Sequence, residues 1–131
     1  MIYKPKVYIA GPYAIGEPLA NTYAALAVAE QVWGMGMVPF VPHLTHWWHE
    51  WHPHPLDSWL SYDLEWLAAC DALYRLPGDS EGADREVAFA KGRGIPMFTA
   101  MSELATWKEK REIRLPLCSD RRHYGKADEV G

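Results

Sequence analysis

The chain has 131 residues, 49% of them apolar and 23% charged, with a formal net charge of −4. These values predict one globular domain that buries enough apolar surface to fold without disulfides or metal ions. The acidic balance argues against a nucleic-acid polymer as partner, because proteins that bind such polymers present a basic face. Two cysteines, Cys70 and Cys118, are too few for a disulfide framework or a metal quartet. The sequence shows no signal peptide and no apolar run of membrane-spanning length, so we expect a cytoplasmic protein that contacts no membrane.

Strand patterns and helix patterns alternate along the chain. Short β-rich runs that end at Gly or Pro predict strands, and apolar residues at helical spacing predict helices. Strands are predicted at residues 6–10, 37–41, 71–76 and 95–99, and helices at residues 18–33, 58–69, 81–92 and 103–112. Asp57, Ser80 and Ser102 are the predicted N-caps of the last three helices. Residues 43–55 are predicted to form a loop, because this segment is rich in proline and lacks a period.

This alternation predicts the fold class. We expect an α/β three-layer sandwich, Rossmann- or flavodoxin-like, with a parallel sheet of about four or five strands and helices on both faces. Residues 1–112 are assigned to this domain. Residues 113–131 are polar and lack a period, and they are expected to form a partly ordered tail or to pack on a partner subunit. Ligands of such sheets bind beyond the carboxyl ends of the strands, which are predicted at residues 11–15, 43–54 and 77–81.

Two acids stand at the margins of predicted helix faces near this edge. With about 100° of rotation per residue, Glu86 lies beside the apolar stripe that contains Ala90. By the same geometry, Asp63 lies beside the stripe that contains Leu67. Two carboxyl groups at one site suit glycosidic chemistry, in which one attacks the anomeric carbon and the other assists proton transfer. The alternative is that both acids are solvated on the helix surfaces, as most such residues are.

The turn at residues 77–82 has the features of an anion site. It leads into a predicted helix N-terminus, where free backbone N–H groups and the helix dipole favour negative charge. Ser80 adds a hydroxyl donor, and Gly82 allows a ligand to approach the backbone closely. A 5′-phosphate group suits such a site. The alternative is that Ser80 only caps the helix.

The same residues carry a family resemblance. The segment Leu76-Pro-Gly-Asp-Ser-Glu-Gly-Ala-Asp-Arg-Glu86 resembles the Ser-x-Gly-x-x-x-Glu signature of nucleoside 2-deoxyribosyltransferase-like proteins. That superfamily includes the 2′-deoxynucleoside 5′-phosphate N-hydrolases and related uncharacterised bacterial and phage proteins. Asp63-Leu-Glu-Trp-Leu with the later Asp71, and Tyr8-Ile-Ala-Gly11, resemble further segments of these proteins.

The resemblance implies roles at the matching positions. Glu86 would be the nucleophile, Asp63 the partner acid and Tyr8 a third group at the same site. The positions implied to contact the sugar and its phosphate are Gly11, Ser80 and Gly82. The serine at position 80 resembles the residue at this position of the nucleotide hydrolases. The resemblance therefore favours hydrolysis of a 5′-monophosphate over transfer. The resemblance also implies a homodimer or larger homo-oligomer with the active site near the interface.

The turn after the first predicted strand departs from the family pattern. It reads Pro12-Tyr13-Ala, whereas the turn of the hydrolases is more polar. Pro12 and Tyr13 nevertheless lie at a strand end, so they belong to the predicted substrate-binding set. No basic residue near this turn maps securely onto a phosphate-binding position of the family.

Residues 43–59 contain five of the six histidines and four of the seven tryptophans. Because the segment follows a predicted strand end, its rings can stack on a base and its imidazoles can hydrogen-bond a base edge. His43, His46 and Trp47 are therefore predicted to bind the base as part of a lid. One alternative is a packed or interface segment, since exposed aromatic residues often mark contacts. Another is a metal site, although the histidine spacing lacks the patterns of zinc motifs.

Together these features predict an enzyme that breaks the N-glycosidic bond of a nucleoside or nucleoside 5′-monophosphate. The mechanism would retain configuration through a glycosyl-Glu86 intermediate, which water resolves in a hydrolase and a second base resolves in a transferase. The expected ligand is a small nucleoside or nucleotide, with no cofactor and no metal ion. The alternatives are a non-catalytic nucleotide-binding protein and, with less support, a metal-dependent hydrolase that uses residues 43–54.

Overall fold

A computed structural model describes residues 4–114, with side chains described up to residue 112. The strands in this range are β1 (Lys6–Ala10), β2 (Val38–Phe40), β3 (Ala72–Arg75) and β4 (Met97–Phe98). The helices are α1 (Pro18–Gly34), α2 (Thr45–Trp51), α3 (Leu56–Ala68), α4 (Glu81–Gly92) and α5 (Met101–Arg114), and a 3-10 turn covers Pro42–Leu44. The predicted tail at residues 113–131 lies outside the described residues, apart from the backbone at the end of α5. None of the helices described here is long and apolar enough to cross a membrane.

The described strands form one parallel sheet in the order β2-β1-β3-β4. Tyr8 on the central strand β1 is in register with Phe40 on one side and with Leu73 on the other. The connection after β1 leads to β2 on one side of the sheet, and the connection after β3 leads to β4 on the other side. Ligands of α/β sheets bind in the crevice at such a switch point. This order is flavodoxin-like, so the predicted parallel α/β fold is confirmed.

Each face of the sheet has its own apolar core. Val7 and Ile9 pack on one face against α1 and α5. Tyr8 and Ala10 pack on the other face against α3 and α4. This division follows from the period of two along a strand, which sends successive side chains to opposite faces. The predicted three-layer arrangement is therefore confirmed, and Tyr8 faces the helices that carry the two predicted acids.

The prediction of a loop at residues 43–55 is wrong. Most of this segment is helical, because α2 runs without an internal Gly or Pro until the prolines at positions 53 and 55. The ring of Trp48 on α2 packs edge-on to Trp59 of α3 at 5.3 Å and to Tyr62 at 5.9 Å between centroids. Packing on α3 thus supports a short helix that shows no apolar period of its own.

The structure confirms one of the three predicted helix caps and contradicts the other two. Ser80 caps α4 as predicted, since its Oγ accepts a hydrogen bond from the backbone N–H of Ala83 at 3.1 Å. The predictions for Asp57 and Ser102 are wrong, because α3 and α5 begin one residue earlier than those positions. Pro55 occupies the cap position of α3. Asp57 lies in the first turn, where a carboxylate interacts favourably with the positive end of the helix dipole.

The turn after β3 approaches the end of β1 closely. Gly78 has a φ of +113°, and a Cβ at this position would lie 2.8 Å from Cγ of Pro12. Gly78→Ala is therefore expected to lower the free energy of unfolding by about 2 kcal/mol, as measured by urea unfolding. Gly92→Ala is the matched control, because a Cβ there would meet no atom within 4 Å. Equal stability of the two variants would contradict this close approach.

Candidate active site

The three side chains predicted to be catalytic come together between β1, α3 and α4. The hydroxyl of Tyr8 on β1 donates a hydrogen bond to Oε2 of Glu86 on α4. Asp63 on α3 lies close enough for electrostatic interactions with both Tyr8 and Glu86. Two carboxyl groups from separate helices thus share one site with a buried phenol.

The burial of the two acids differs from that of ordinary helix acids. Ala83, Glu86 and Ala90 form the buried stripe of α4, and Glu86 is only 6% exposed. Asp63 is partly buried, and its Oδ1 has no hydrogen-bond partner among the described residues. The alternative that both acids are solvated on helix surfaces is therefore wrong.

An aromatic stack holds the ring of Tyr8. Phe40 on β2 stacks on Tyr8 with 5.6 Å between the ring centroids, and Trp66 on α3 stacks on Phe40 at 5.4 Å. Tyr8 and Phe40 are register partners in neighbouring strands, so their side chains share one face of the sheet. The stack fixes the plane of the Tyr8 ring and keeps its hydroxyl directed at the carboxylate of Glu86.

Burial raises the pKa of all three groups. The pKa of Glu86 rises from 4.5 to about 7, although the hydrogen bond from Tyr8 and the charge of Arg75 act in the opposite direction. The pKa of Asp63 rises from 3.8 to about 8, first through burial and then through the charge of Glu86. Burial and the two carboxylates also raise the pKa of Tyr8, which therefore stays protonated and donates. As the pH rises, Glu86 is therefore the first of the two acids to ionise, because its pKa is the lower one.

Arg75 on β3 belongs to this site, and the sequence prediction missed its role. Its guanidinium donates to Oδ1 of Asp84 at 2.9 Å and to the carbonyl of Leu76, and its side chain is 14% exposed. Its positive charge favours the ionised form of Glu86. The sequence did contain a signal for this position. Side chains alternate along a strand, so residue 75 shares a face with Leu73, which packs beneath α3 and α4.

A second group of predicted residues meets beyond the carboxyl ends of β1 and β2. The hydroxyl of Tyr13 is hydrogen-bonded to Nδ1 of His46, and the Tyr13 ring lies edge-on to His43 at 6.2 Å. Nε2 of His43 donates to the carbonyl of Pro12 at 3.0 Å. His43 is 5% exposed, and burial lowers its pKa, so that the ring is neutral at neutral pH. Trp47 lies edge-on to His46 at 5.4 Å and is 46% exposed.

The small residues predicted to contact the sugar and phosphate have different surroundings. A Cβ on Gly11 would lie 3.0 Å from Cβ of Leu76, so close packing of the strand ends accounts for this glycine. A Cβ on Gly82 would meet no atom within 4 Å, which leaves the first turn of α4 open to a ligand. The oxygen of Ser80 accepts the cap bond, and its O–H is still available as a donor.

Cavities open beside the sheet. One of about 290 Å³ lies at the carboxyl ends of β3 and β4 and is lined by Arg75, Leu76, Pro77, Gly78 and Thr99. Arg75, whose charge acts on Glu86, lines this cavity, but Tyr8, Asp63 and Glu86 do not. Another, of about 360 Å³, lies between β4 and α5 and includes none of the predicted site residues. Neither cavity is lined by a residue predicted to be catalytic or substrate-binding, and the first lies at the turn that leads into α4.

The remaining histidines near α2 take part in packing contacts. Nδ1 of His49 accepts a hydrogen bond from the indole N–H of Trp59 at 2.7 Å. Within residues 4–112, no three His, Cys, Asp or Glu side chains are grouped so as to hold a metal ion. The histidine spacing that suggested a metal site therefore forms no ligand set in this part of the chain. Packing on α3 accounts for several of the aromatic residues, whereas Trp51 is 82% exposed.

Comparison with solved structures identifies the class of fold. The chain is similar to a 2-desoxiribosyltransferase from Leishmania mexicana, with a TM-score of 0.54 and 22% identity over 71% of this chain and 61% of that chain. It is also similar to a 2-deoxyribosyltransferase from the psychrotolerant bacterium Bacillus psychrosaccharolyticus, with a TM-score of 0.49 and 22% identity over 70% of this chain and 69% of that chain. The predicted nucleoside 2-deoxyribosyltransferase-like fold is thereby confirmed. This chain spans less than two thirds of the Leishmania mexicana protein.

A comparison with family models gives the family itself. The chain belongs to the family described as a domain of unknown function, DUF7768, whose model matches residues 5–100. The matched range begins just before β1 and ends just before α5, so it contains the whole sheet and every predicted site residue. No curated protein matches the chain.

Proposed function

We propose that this protein is an enzyme that breaks the N-glycosidic bond of a nucleoside or a nucleoside 5′-monophosphate. One observation carries the proposal: the buried carboxyl group of Glu86 and the partly buried one of Asp63, from different helices, share a site with the Tyr8 hydroxyl. Retaining glycosidases use such a pair, one as nucleophile and the other as acid and base. The name of the similar Leishmania mexicana protein states 2-deoxyribosyl transfer, which supports this class of reaction.

In the first step, the ionised carboxylate of Glu86 attacks the anomeric carbon of the sugar. The bond between that carbon and the base nitrogen breaks, its electron pair leaves with the base, and the base takes a proton from Asp63. The product is a glycosyl ester of Glu86. The raised pKa values support this division of roles, since a value of about 8 keeps Asp63 protonated at neutral pH and one of about 7 leaves Glu86 partly ionised.

In the second step, a water molecule gives a proton to the ionised Asp63 while its oxygen attacks the same carbon. The ester bond breaks and the carboxylate of Glu86 is regenerated, with net retention of configuration. The donated hydrogen bond from Tyr8 stabilises the departing carboxylate. A second base in place of water would give transfer. The serine at position 80 resembles the residue at the matching position of the nucleotide hydrolases, and this resemblance favours hydrolysis.

A 5′-monophosphate is favoured as substrate by the donors at the sheet edge. The N-terminus of α4 offers backbone N–H groups, the O–H of Ser80 and an open approach at Gly82. Arg75 adds positive charge at the wall of the neighbouring cavity. The mechanism uses no metal ion and no cofactor.

The oligomeric state and the cellular location stay predictions. The family resemblance implies a homodimer, and the exposed side chains of Trp51 and Leu56, at 82% and 81%, would suit such an interface. Sedimentation of the purified chain measures the mass of the assembly directly, and a monomer at every concentration would contradict this part of the proposal.

A product assay tests the reaction. The purified protein is incubated with ribonucleosides, deoxynucleosides and their 5′-monophosphates, with and without a second base, and free base and new nucleosides are measured by chromatography. Mass spectrometry of the protein during turnover is expected to show a covalent sugar adduct that maps to Glu86. Tight nucleotide binding without release of base would support the non-catalytic alternative instead. Release of the sugar with inverted configuration would overturn the glycosyl ester.

The hydrogen bond between Tyr8 and Glu86 leads us to expect a defined pH effect. In Tyr8→Phe, Glu86 loses a donor that lowers its pKa, so that pKa should rise further. Since only ionised Glu86 attacks, kcat/KM should begin to fall at a higher pH in this variant than in the wild type. Tyr74→Phe is the matched control, because it loses a hydrogen bond to the Thr99 carbonyl on the other face of the sheet. Superimposable pH profiles of Tyr8→Phe and wild type would contradict the role of this bond.

A further inference from the structure

Tyr13, His46 and Glu50 form a hydrogen-bonded relay at the sheet edge. The hydroxyl of Tyr13 is bonded to Nδ1 of His46, and Nε2 of His46 lies 2.8 Å from Oε1 of Glu50. His46 and Glu50 are four residues apart on α2, a spacing that places both on one face of the helix. The glycosidic steps described above use none of these contacts.

The partners of His46 decide which of its nitrogens carries the proton. A carboxylate only accepts hydrogen bonds, so in the neutral imidazole the proton lies on Nε2, facing Glu50, and Nδ1 has a lone pair. Tyr13 then donates its single hydroxyl proton to Nδ1. In this neutral form the oxygen of Tyr13 is left with lone pairs only, so Tyr13 can accept a hydrogen bond from a ligand but cannot donate one.

His43 packs edge-on against the ring of Tyr13 and holds the turn in which Tyr13 lies. The carbonyl of Pro12 only accepts, so Nε2 of His43 carries the proton, and burial keeps the ring neutral by lowering its pKa. Nδ1 of His43 is buried without a hydrogen-bond partner among the described residues. A ligand cannot reach this buried atom, so His43 fixes the turn at Pro12 beside Tyr13, and Tyr13 is the residue that can offer an acceptor to a ligand.

We propose that the relay of Tyr13, His46 and Glu50 selects nucleobases that carry an exocyclic amino group. This inference rests on the proposed function, because in-line attack by Glu86 sends the leaving base to the far side of the sugar. Tyr13 lies beyond the end of β1, the strand that carries Tyr8. Adenine and cytosine present an amino donor there, whereas hypoxanthine and uracil present a carbonyl oxygen whose lone pairs repel those of Tyr13. Glu50 acts as a positioning residue through His46.

Matched substrate pairs test this selectivity. Deoxyadenosine is compared with deoxyinosine, and deoxycytidine with deoxyuridine, both as nucleosides and as 5′-monophosphates. The members of each pair differ in the amino or carbonyl group and in the protonation of the adjoining ring nitrogen. We expect the wild-type protein to prefer the amino member by about tenfold, both in kcat/KM and in Kd measured by calorimetry.

Two variants and one control separate a relay from a structural contact. Tyr13→Phe removes the accepting oxygen, so the preference for the amino member is expected to fall close to one. Glu50→Gln should have a similar effect, because an amide N–H can donate to Nε2 of His46 and let the imidazole proton move to Nδ1. Asp57→Asn changes an exposed acid in the first turn of α3 and should keep the wild-type preference. A loss of activity that is equal for both members in Glu50→Gln would overturn the proposal.

The kinetic and binding measurements together distinguish the two proposals. Selective binding of amino-bearing ligands without release of base would support the relay and overturn the glycosidase. Release of base from both members at equal efficiency, unchanged by Tyr13→Phe, would overturn the relay and leave the glycosidase standing. A preference for the carbonyl members would also overturn the relay, since it requires Tyr13 to donate. Neither binding nor release with any ligand would overturn both.

Discussion

Glu86→Gln is expected to lower the rate of base release by at least about 1,000-fold, because an amide cannot form the glycosyl ester. The substitution keeps the size of the side chain and keeps an oxygen that can accept the hydrogen bond from Tyr8. The fold should therefore survive, and KM should change less than kcat. Initial rates on the best substrate of the panel, with the protein adduct followed by mass spectrometry, measure both effects.

The matched control for this variant lies on the same helix. Glu81 is an exposed acid in the first turn of α4, paired with Arg85 at 3.1 Å. Glu81→Gln removes one carboxylate from the helix without touching the acidic pair, so its activity should stay within about twofold of the wild type. Similar activities of Glu86→Gln and wild type would remove the basis of the proposed chemistry. Loss of activity in both variants would point to a general effect of charge at the helix N-terminus.

The parts of the fold that follow from local signals were predicted well. A β-rich run that stops at Gly11 predicts β1 with its observed bounds, and Ser80 predicts the start of α4 because its side chain caps the backbone directly. The position of Glu86 follows from the helical period around Ala83 and Ala90. Each of these features depends on residues that are close in the chain, so the sequence contains the whole signal.

The parts that depend on contacts between distant segments could not be predicted in this way. Tyr13 and His46 are 33 residues apart, and only the parallel arrangement of β1 and β2 brings them together. Glu50 was missed although it lies four residues after His46, because that spacing has a meaning only in a helix and the segment was predicted to be a loop. The contribution of Arg75 to the ionisation of Glu86 likewise appears only once β3 lies beneath α4.

The acidic pair also makes this protein less stable than it would be without it. The pKa of Asp63 rises from 3.8 to about 8 on folding, mainly because burial disfavours the charged form. Between these two values the folded state holds the proton and the unfolded state releases it. The free energy of unfolding should therefore fall as the pH rises from about 4 to about 8, and Glu86, with a pKa raised to about 7, adds to the same trend.

Asp63→Asn should therefore stabilise the fold while it impairs the reaction. Asparagine cannot ionise, so at pH 8 the variant is expected to exceed the wild type by about 2 kcal/mol in urea unfolding, with little difference at pH 4. Base release should fall by about 100-fold, because the leaving base loses its proton donor. Glu65→Gln changes an exposed acid on the same helix and should alter neither property. A stability difference that is the same at pH 4 and pH 8 would show that folding does not raise the pKa of Asp63, and the division of roles between the two acids would then lose its physical basis.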